Sequence, residues 1–338
     1  MWCGMKKLPW PTPARKAPSH THHTRSPMNT RKSLDGLAVA LMLVLCLIWG
    51  LQQSVLKLAA PDMAPIMQIA LRSGIAALLV GVLMLWRKER ITFTDTTWRP
   101  GLAVGVLFAL EFLLVGQGIR FTSASHVVVF LYTAPIFVAL GLHFKLPSER
   151  LSAMQWTGIA LAFSGVIVTF VARSPQADAG QPVNMLFGDF LALMGGVAWG
   201  ATTVVVRCSG LARVSASQTL LYQLVAAFVL LVIASFALGQ TAIHPTPLMW
   251  GSLVFQSLIV SFASFLVWFW LLKHYLASQL GVFSFLTPLF GVGFGVWLLD
   301  EPLESSFLSG ALLVVTGVIL VSSHGWFLQR RARARHAA

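Results

Sequence analysis

Charge is what this sequence has least of. Only 10% of its 338 residues are Asp, Glu, Lys or Arg, against about a quarter in an ordinary soluble domain. The length would otherwise suggest two soluble domains, but with so few charges the chain cannot clothe their surfaces. Cysteine is almost as scarce. Cys3, Cys46 and Cys208 lie in separate segments, which excludes a disulfide framework and a cysteine metal motif. Cys46 and Cys208 read as small packing residues. Inside the apolar runs there is no pair of acidic residues, no His pair at helical spacing and no Cys-x-x-Cys. No Gly-rich loop ending in Gly-Lys-Ser/Thr is present, so the chain carries no ATP-driven motor. These gaps argue against an enzyme and leave no motif for a cofactor or a metal. The basic run "HTHH" at His20 to His23 would bind a metal weakly at most.

What the chain does have is hydrophobic length. Some 57% of it is apolar, with mean hydropathy +0.77, the composition of an all-α membrane protein. Spans of about 20 residues fit the runs 36–58, 64–86, 100–119, 124–144, 151–171, 187–207, 215–238, 249–272, 278–299 and 305–325. Residues 1–34 are rich in Pro, His, Lys and Arg without an acidic residue, and predict a disordered basic tail. Met28 opens a short basic leader into the first span and reads as the natural start. Residues 172–186 make a linker rich in polar and turn-forming residues, and 326–338 a second basic tail.

The net charge of +13 does not point to nucleic acid, because of where it lies. Five of the 24 basic residues precede Met28 and four fall in the last nine positions. Most of the others, among them Arg87, Lys88, Arg90, Arg99, Lys145, Arg207, Arg213 and Lys273, gather at one face of a ten-span arrangement. Lys57, Arg120 and Arg173 fall at the other face. Basic residues mark the cytoplasmic side, so both termini are expected inside.

The spans repeat. Trp49-Gly50 answers Trp199-Gly200, and Gln68 answers Gln218, at an offset of 150. "TSASHVVVFLYTAPIF" from Thr122 answers "YLASQLGVFSFLTPLF" from Tyr275, with Pro135 and Phe137 meeting Pro288 and Phe290 at an offset of 153. Glu149, Gly158 and Gly165 meet Glu301, Gly310 and Gly317 at 152. Ten spans thus divide into residues 36–171 and 187–325, five helices each. A duplicated unit with an odd number of spans inserts in opposite senses, the mark of an inverted-repeat transporter.

With so few charges at membrane depth, each is informative. Glu111 lies in the third span and Arg72 in the second, both about 12–14 Å below the outer surface at 1.5 Å per residue. Equal depth permits an ion pair. Glu111 reads either as a fixed counter-ion for Arg72 or as a protonatable group coupling substrate movement to protons. The second copy has Ser264 for Glu111 and Tyr222 for Arg72, so an ion site would be asymmetric. Trp49 and Trp199 lie at mid-depth, where they serve as apolar packing or as aromatic walls of a cavity. Gln53, Gln256, Tyr132 and Trp268 divide in the same way between interhelical hydrogen bonds and cavity lining. Pro135 and Pro288 each remove a backbone donor and bend a span at matched positions, which points to a site at the repeat interface. The paired glycines suit close helix packing.

Two repeats, each with an early "W-G", then "S-A-S" or "L-A-S" ahead of a Pro-containing span, a Glu and "G-x6-G-V", resemble the EamA family, the bacterial branch of the drug/metabolite transporter superfamily. The resemblance covers residues 36–322. It implies a ten-helix permease of the bacterial inner membrane, exporting amino acids or other small metabolites and driven by a proton or ion gradient. On that view Trp49, Glu111, Tyr132 and Trp199 contact the substrate, and a monomer in the lipid bilayer suffices. Two other classes stay open. A membrane-embedded lipid-handling enzyme would need a polar cluster at one interface, and a non-transporting sensor or scaffold would show a closed, dry interior.

Overall fold

The computed structural model describes residues 35–145, 151–171, 184–275, 280, 283–284, 286–303 and 305–320. The two basic tails, most of the linker, Glu149 and Ala277-Ser278 lie outside them. Within the described residues the chain is helical, apart from one antiparallel bridge between Met63 and Ile243. The helices are α1 (Gly36–Leu58), α2 (Pro65–Trp86), α3 (Asp95–Gly118), α4 (Ala124–Leu131), α5 (Ala134–Lys145), α6 (Ala153–Val171), α7 (Met185–Cys208) and α8 (Ala216–Ala237). Then come α9 (residues 247–274), α10 (Leu286–Leu299) and α11 (Ser305–Leu320). Seven helical stretches among the described residues are long and apolar enough to cross a membrane, with α4 and α5 together making one, and α6, α10 and α11 have shorter apolar stretches.

Polar residues set where the helices begin. Asp35 accepts from Ala38 N at 2.9 Å and caps α1, Ser123 caps α4, Ser215 caps α8 and Thr246 caps α9, each satisfying a donor that a helix start leaves free. Pro65 opens α2, where its missing N–H costs nothing. α3 starts at Asp95 rather than near residue 100. The Thr97 side chain accepts from Thr94 N at 2.9 Å, and Trp98 Nε1 donates to Asp95 at 2.8 Å, so the polar turn winds ahead of the apolar run.

Two helices depart from regular geometry. The span 124–145 is broken at Tyr132-Thr133, one turn closing through Thr133 Oγ1 to Phe130 O at 2.6 Å. Pro135 therefore sits in the first turn of α5, not in mid-helix, and Pro288 likewise sits near the start of α10. In α9, residues Phe255–Ser264 are π-helical. The repeat offset grows from 150 to 153 between Gln68/Gln218 and Pro135/Pro288, and the π stretch falls in that interval. A wider turn lets a helix absorb additional residues without reversing its faces.

The halves meet through matched residues. A Cβ on Gly165 would lie 2.5 Å from Gly310 O, and one on Gly317 would clash with Gly158 O, so α6 and α11 cross antiparallel with backbones in contact. The glycine of each Trp-Gly pair packs on the proline segment of the other half: Gly50 on Thr287 and Phe290, Gly200 on Ala134 and Phe137. The matched helices α2 and α8 also run antiparallel, because the loop before α2 pairs with the loop after α8 (His244 N to Asp62 O, 2.8 Å). At their other ends, Gln218 exchanges two hydrogen bonds with the Thr92 backbone, at 3.1 and 2.8 Å. Leu78, Val82 and Leu85 project outward from α2, the face a lipid-embedded helix shows to hydrocarbon. Cys46 is buried and donates to Phe283 O. Cys208 is exposed, so the packing role holds for Cys46 alone.

Candidate substrate and coupling site

The sequence-predicted site residues fall into three neighbouring groups in the interior. On α1, Trp49 Nε1 donates to Ser264 Oγ on α9 at 2.9 Å, and its ring meets Trp268 edge-on with centroids 5.6 Å apart. Ser264 in turn donates to Val260 O one turn back, which leaves its lone pairs for the indole.

The second group centres on Gln256 in the π stretch. Its Nε2 donates to Gln52 O at 2.9 Å, and its Oε1 accepts from Arg72 Nη1 at 2.6 Å. Arg72 is 3% exposed and its guanidinium lies 4.5 Å above the Phe112 ring. The expected ion pair with Glu111 is not made. Arg72 is held instead by a carboxamide and an aromatic face, and Phe112 is the residue next to Glu111 on α3. The two charges remain within electrostatic reach of each other.

The third group is Glu111, Tyr132 and Trp199. Tyr132, at the break between α4 and α5, meets the Trp199 ring edge-on at 5.3 Å and lies within electrostatic reach of Glu111. Thr287, beside Tyr132 and Cys46, brings α10 to the same place. Glu111 is 4% exposed, and its Oε2 has no hydrogen-bond partner among the described residues. The same is true of Arg72 Nε, Gln53 Oε1 and Ser257 Oγ. Burying such groups unpaired costs about 1–3 kcal/mol each. Pro135 and Pro288 stand in the first turns of α5 and α10, close in sequence to Tyr132 and Thr287.

A fourth constellation was not anticipated. At one end of the bundle two carboxylates of the second half grip the N-terminus of α4. Glu301 accepts from Ala124 N at 2.6 Å, Ser125 N at 3.0 Å, Ser125 Oγ at 2.7 Å and Lys57 Nζ at 3.2 Å. Asp189, fully buried, accepts from Thr122 Oγ1 and faces His126 Nδ1 at 3.0 Å through both its oxygens. Phe307 stacks on the His126 ring at 4.0 Å. Asp189 was legible as an acid inside an apolar run; its pairing with His126 was not, since they are 63 residues apart. Among the described residues no group of three or more His, Cys, Asp or Glu is placed to hold a metal.

The EamA-like transporter family matches residues 36–171 and again residues 186–323. The chain belongs to that family. Each match covers one copy of the internal repeat. Several relatives agree along most of their own length. The uncharacterized transporter YvbV of Bacillus subtilis (strain 168) is 29% identical over 298 residues, 86% of this chain and 94% of its own. The uncharacterized transporter YoaV of the same organism is 24% identical over 81% of this chain and 92% of its own. A probable amino-acid metabolite efflux pump of Escherichia coli (strain K12) is 25% identical over 85% of this chain and 94% of its own. A crystal structure 18% identical superposes with a TM-score of 0.60 over 88% of this chain and 99% of its own, a likeness of fold alone. Family and apolar helices together make this EamA-like chain a multi-pass membrane transporter rather than an enzyme.

Proposed function

We propose that the protein is a secondary exporter of small metabolites, amino acids among them, working by alternating access across the bacterial inner membrane. Ten helices arranged as two inverted five-helix halves, residues 36–171 and 187–325, enclose the site, and both termini face the cytoplasm. The observation that carries this reading is Glu111: a carboxylate buried in an apolar helix, without a hydrogen-bond partner among the described residues, where helices of both halves meet. A purely structural counter-ion would be bonded to Arg72. This one is left available to a proton or to a cationic group of the substrate. Arg72, with its Nε also unpartnered, offers the complementary charge, and Trp49, Trp268, Trp199 and Tyr132 supply rigid apolar walls. Gln53 and Gln256 add neutral polar contacts. A site with one acid, one guanidinium and four aromatic rings suits a small zwitterion with an apolar side chain, consistent with the E. coli relative named as an amino-acid metabolite efflux pump.

Comparing metabolites inside and outside cells with and without the gene identifies the cargo. The expected result is one or a few zwitterionic metabolites accumulating in the medium only when the gene is present, and doing so no longer when the proton gradient is collapsed. With the cargo in proteoliposomes, Glu111→Gln is expected to abolish gradient-driven transport. Full transport with unchanged pH dependence in that variant would remove Glu111 from the coupling role.

A further inference from the structure

The two halves are alike in sequence but not in one hydrogen bond. Trp49 of the first half donates to Ser264 of the second at 2.9 Å. The repeat turns Trp49 into Trp199 at an offset of 150, and Ser264 into Glu111 at an offset of 153. The counterpart of the bond that is made is therefore a bond from Trp199 to Glu111. It is not made: among the described residues Trp199 Nε1 has no acceptor and Glu111 accepts no hydrogen bond.

The geometry leaves the missing bond within reach. Helices α3 and α7 run antiparallel in close contact, Gly118 against Gly188 at one end and Gly195 against the Glu111 backbone further along, where an added Cβ would lie 3.5 Å from Glu111 O. Trp199 is one turn beyond Gly195 on the same face of α7. Side chains on a helix lean toward its N-terminus. On antiparallel helices Glu111 and Trp199 thus lean toward each other's level, and one turn is about 5.4 Å, less than the length of an indole. Tyr132 already touches Trp199 and lies near Glu111.

We infer that these two bonds alternate: in the opposite-facing state of the transporter Trp199 donates to Glu111 while Trp49 releases Ser264. The inference rests on the inverted-repeat, alternating-access reading above. In such a molecule the opposite state arises when each half takes up the arrangement its partner had, so a bond made by one half is exchanged for its counterpart in the other. The exchange is unequal because the acceptors differ. A hydroxyl gives an ordinary hydrogen bond, whereas an ionised carboxylate gives one roughly twice as strong. Ionised Glu111 therefore draws the molecule toward the Trp199-bonded state, and protonated Glu111 lets it return to the state seen here. Other groups that face Glu111 are Arg72 from α2 and Tyr132 from the α4–α5 junction. Helix α8 carries no charged residue, and α7 carries only Asp189 and Arg207, near its ends. The conformational bias is thus set by a single proton at Glu111 in the field of Arg72.

The test uses full-length protein labelled with 5-fluorotryptophan in nanodiscs, with the Trp49 and Trp199 resonances assigned from Trp49→Phe and Trp199→Phe. Raising the pH through the titration of Glu111 should move both signals together, Trp199 toward a hydrogen-bonded environment and Trp49 away from one. The ratio of the two states should change by about tenfold, equivalent to about 1.4 kcal/mol. Glu111→Gln keeps the shape of the side chain and should freeze both signals at the low-pH position. Ser264→Ala should shift both toward the high-pH position and lower the midpoint, because favouring the Trp199-bonded state favours ionised Glu111. A Trp199 signal that follows pH while Trp49 stays fixed overturns the exchange, as do signals that move unchanged in Glu111→Gln. Transport of the cargo is measured in parallel: its absence counts against the transport reading, whereas transport with static tryptophans counts against the exchange alone.

Discussion

Gly165 and Gly317 provide the sharpest test of how the halves are joined. At the α6–α11 crossing a methyl on Gly165 would lie 2.5 Å from Gly310 O and 2.7 Å from Val314 N, about 0.9 Å short of ordinary contact. The obstructing atoms are backbone, so no rotamer change can relieve them and the helices must part. Overpacking of this kind costs about 1–3 kcal/mol, and the backbone obstruction places Gly165→Ala in the upper half of that range. Gly317→Ala meets Gly158 and Ala162 in the same way and should cost as much. Once the first methyl has separated the helices, the second finds room already made. The double variant should then exceed either single one by less than about 1 kcal/mol, a coupling typical of residues sharing one contact. Gly81→Ala and Gly293→Ala are the controls. Nothing lies within 4 Å of a Cβ at either position, and each should be neutral or gain up to about 1 kcal/mol from helix propensity. The assay is reversible unfolding in graded SDS–detergent mixtures. Equal small effects at all four glycines, or strict additivity of the double variant, would refute the crossing as described.

Three further outcomes follow from other contacts. Glu301→Ala strips two helix N–H groups, the Ser125 hydroxyl and Lys57 of their acceptor and should cost about 2–4 kcal/mol in the same unfolding assay. Glu301→Gln, keeping one acceptor oxygen, should cost about half as much, since buried donors left unpaired carry most of the penalty. A double-mutant cycle of Arg72→Met and Gln256→Leu should show a coupling of about 1–2 kcal/mol; a coupling near zero would mean the 2.6 Å bond contributes nothing. At the opposite end, Tyr275 donates to the Asp35 carboxylate at 2.9 Å, and that bond raises the phenol above its ordinary value of 10. Folding thus favours the protonated phenol. Its contribution is complete below pH 10 and declines as pH rises through the higher folded value, a decline that Tyr275→Phe should remove from alkaline unfolding curves.

The scaffold was largely legible because hydrophobic length and duplication both leave marks on sequence. Span ends came within a few residues where a Pro or Ser stands at the boundary, as at Pro65 and Ser215. They failed at α3, where a polar turn winds ahead of the apolar run, and across Tyr132-Thr133, where the chain breaks two residues before Pro135 rather than bending at it. The π stretch was foreshadowed by the drift in repeat offset, but an offset does not say which turn widens. The matched glycines and prolines were found, but not the crossing they make, since one-dimensional symmetry does not reveal which copy touches which. The same limit explains the site. Arg72 and Glu111 were expected at one depth and lie within electrostatic reach of each other; that Arg72 faces Gln256 depends on the rotation of α2, which spacing along the chain does not carry. The grip of Glu301 and Asp189 on α4 joins residues from opposite halves and has no local signature.

The crossing of α6 and α11 also bears on how such a chain arises. Gly165 rests on Gly310, and Gly317 on Gly158, so each helix offers its partner the same patch it receives. That is the geometry of an isologous contact, in which one surface is complementary to itself. A single-repeat ancestor presenting this surface would already have possessed the contact as a homodimer. Joined in one chain, the two copies are free to differ wherever a dimer axis would have forced identity, as Glu111 and Ser264 do.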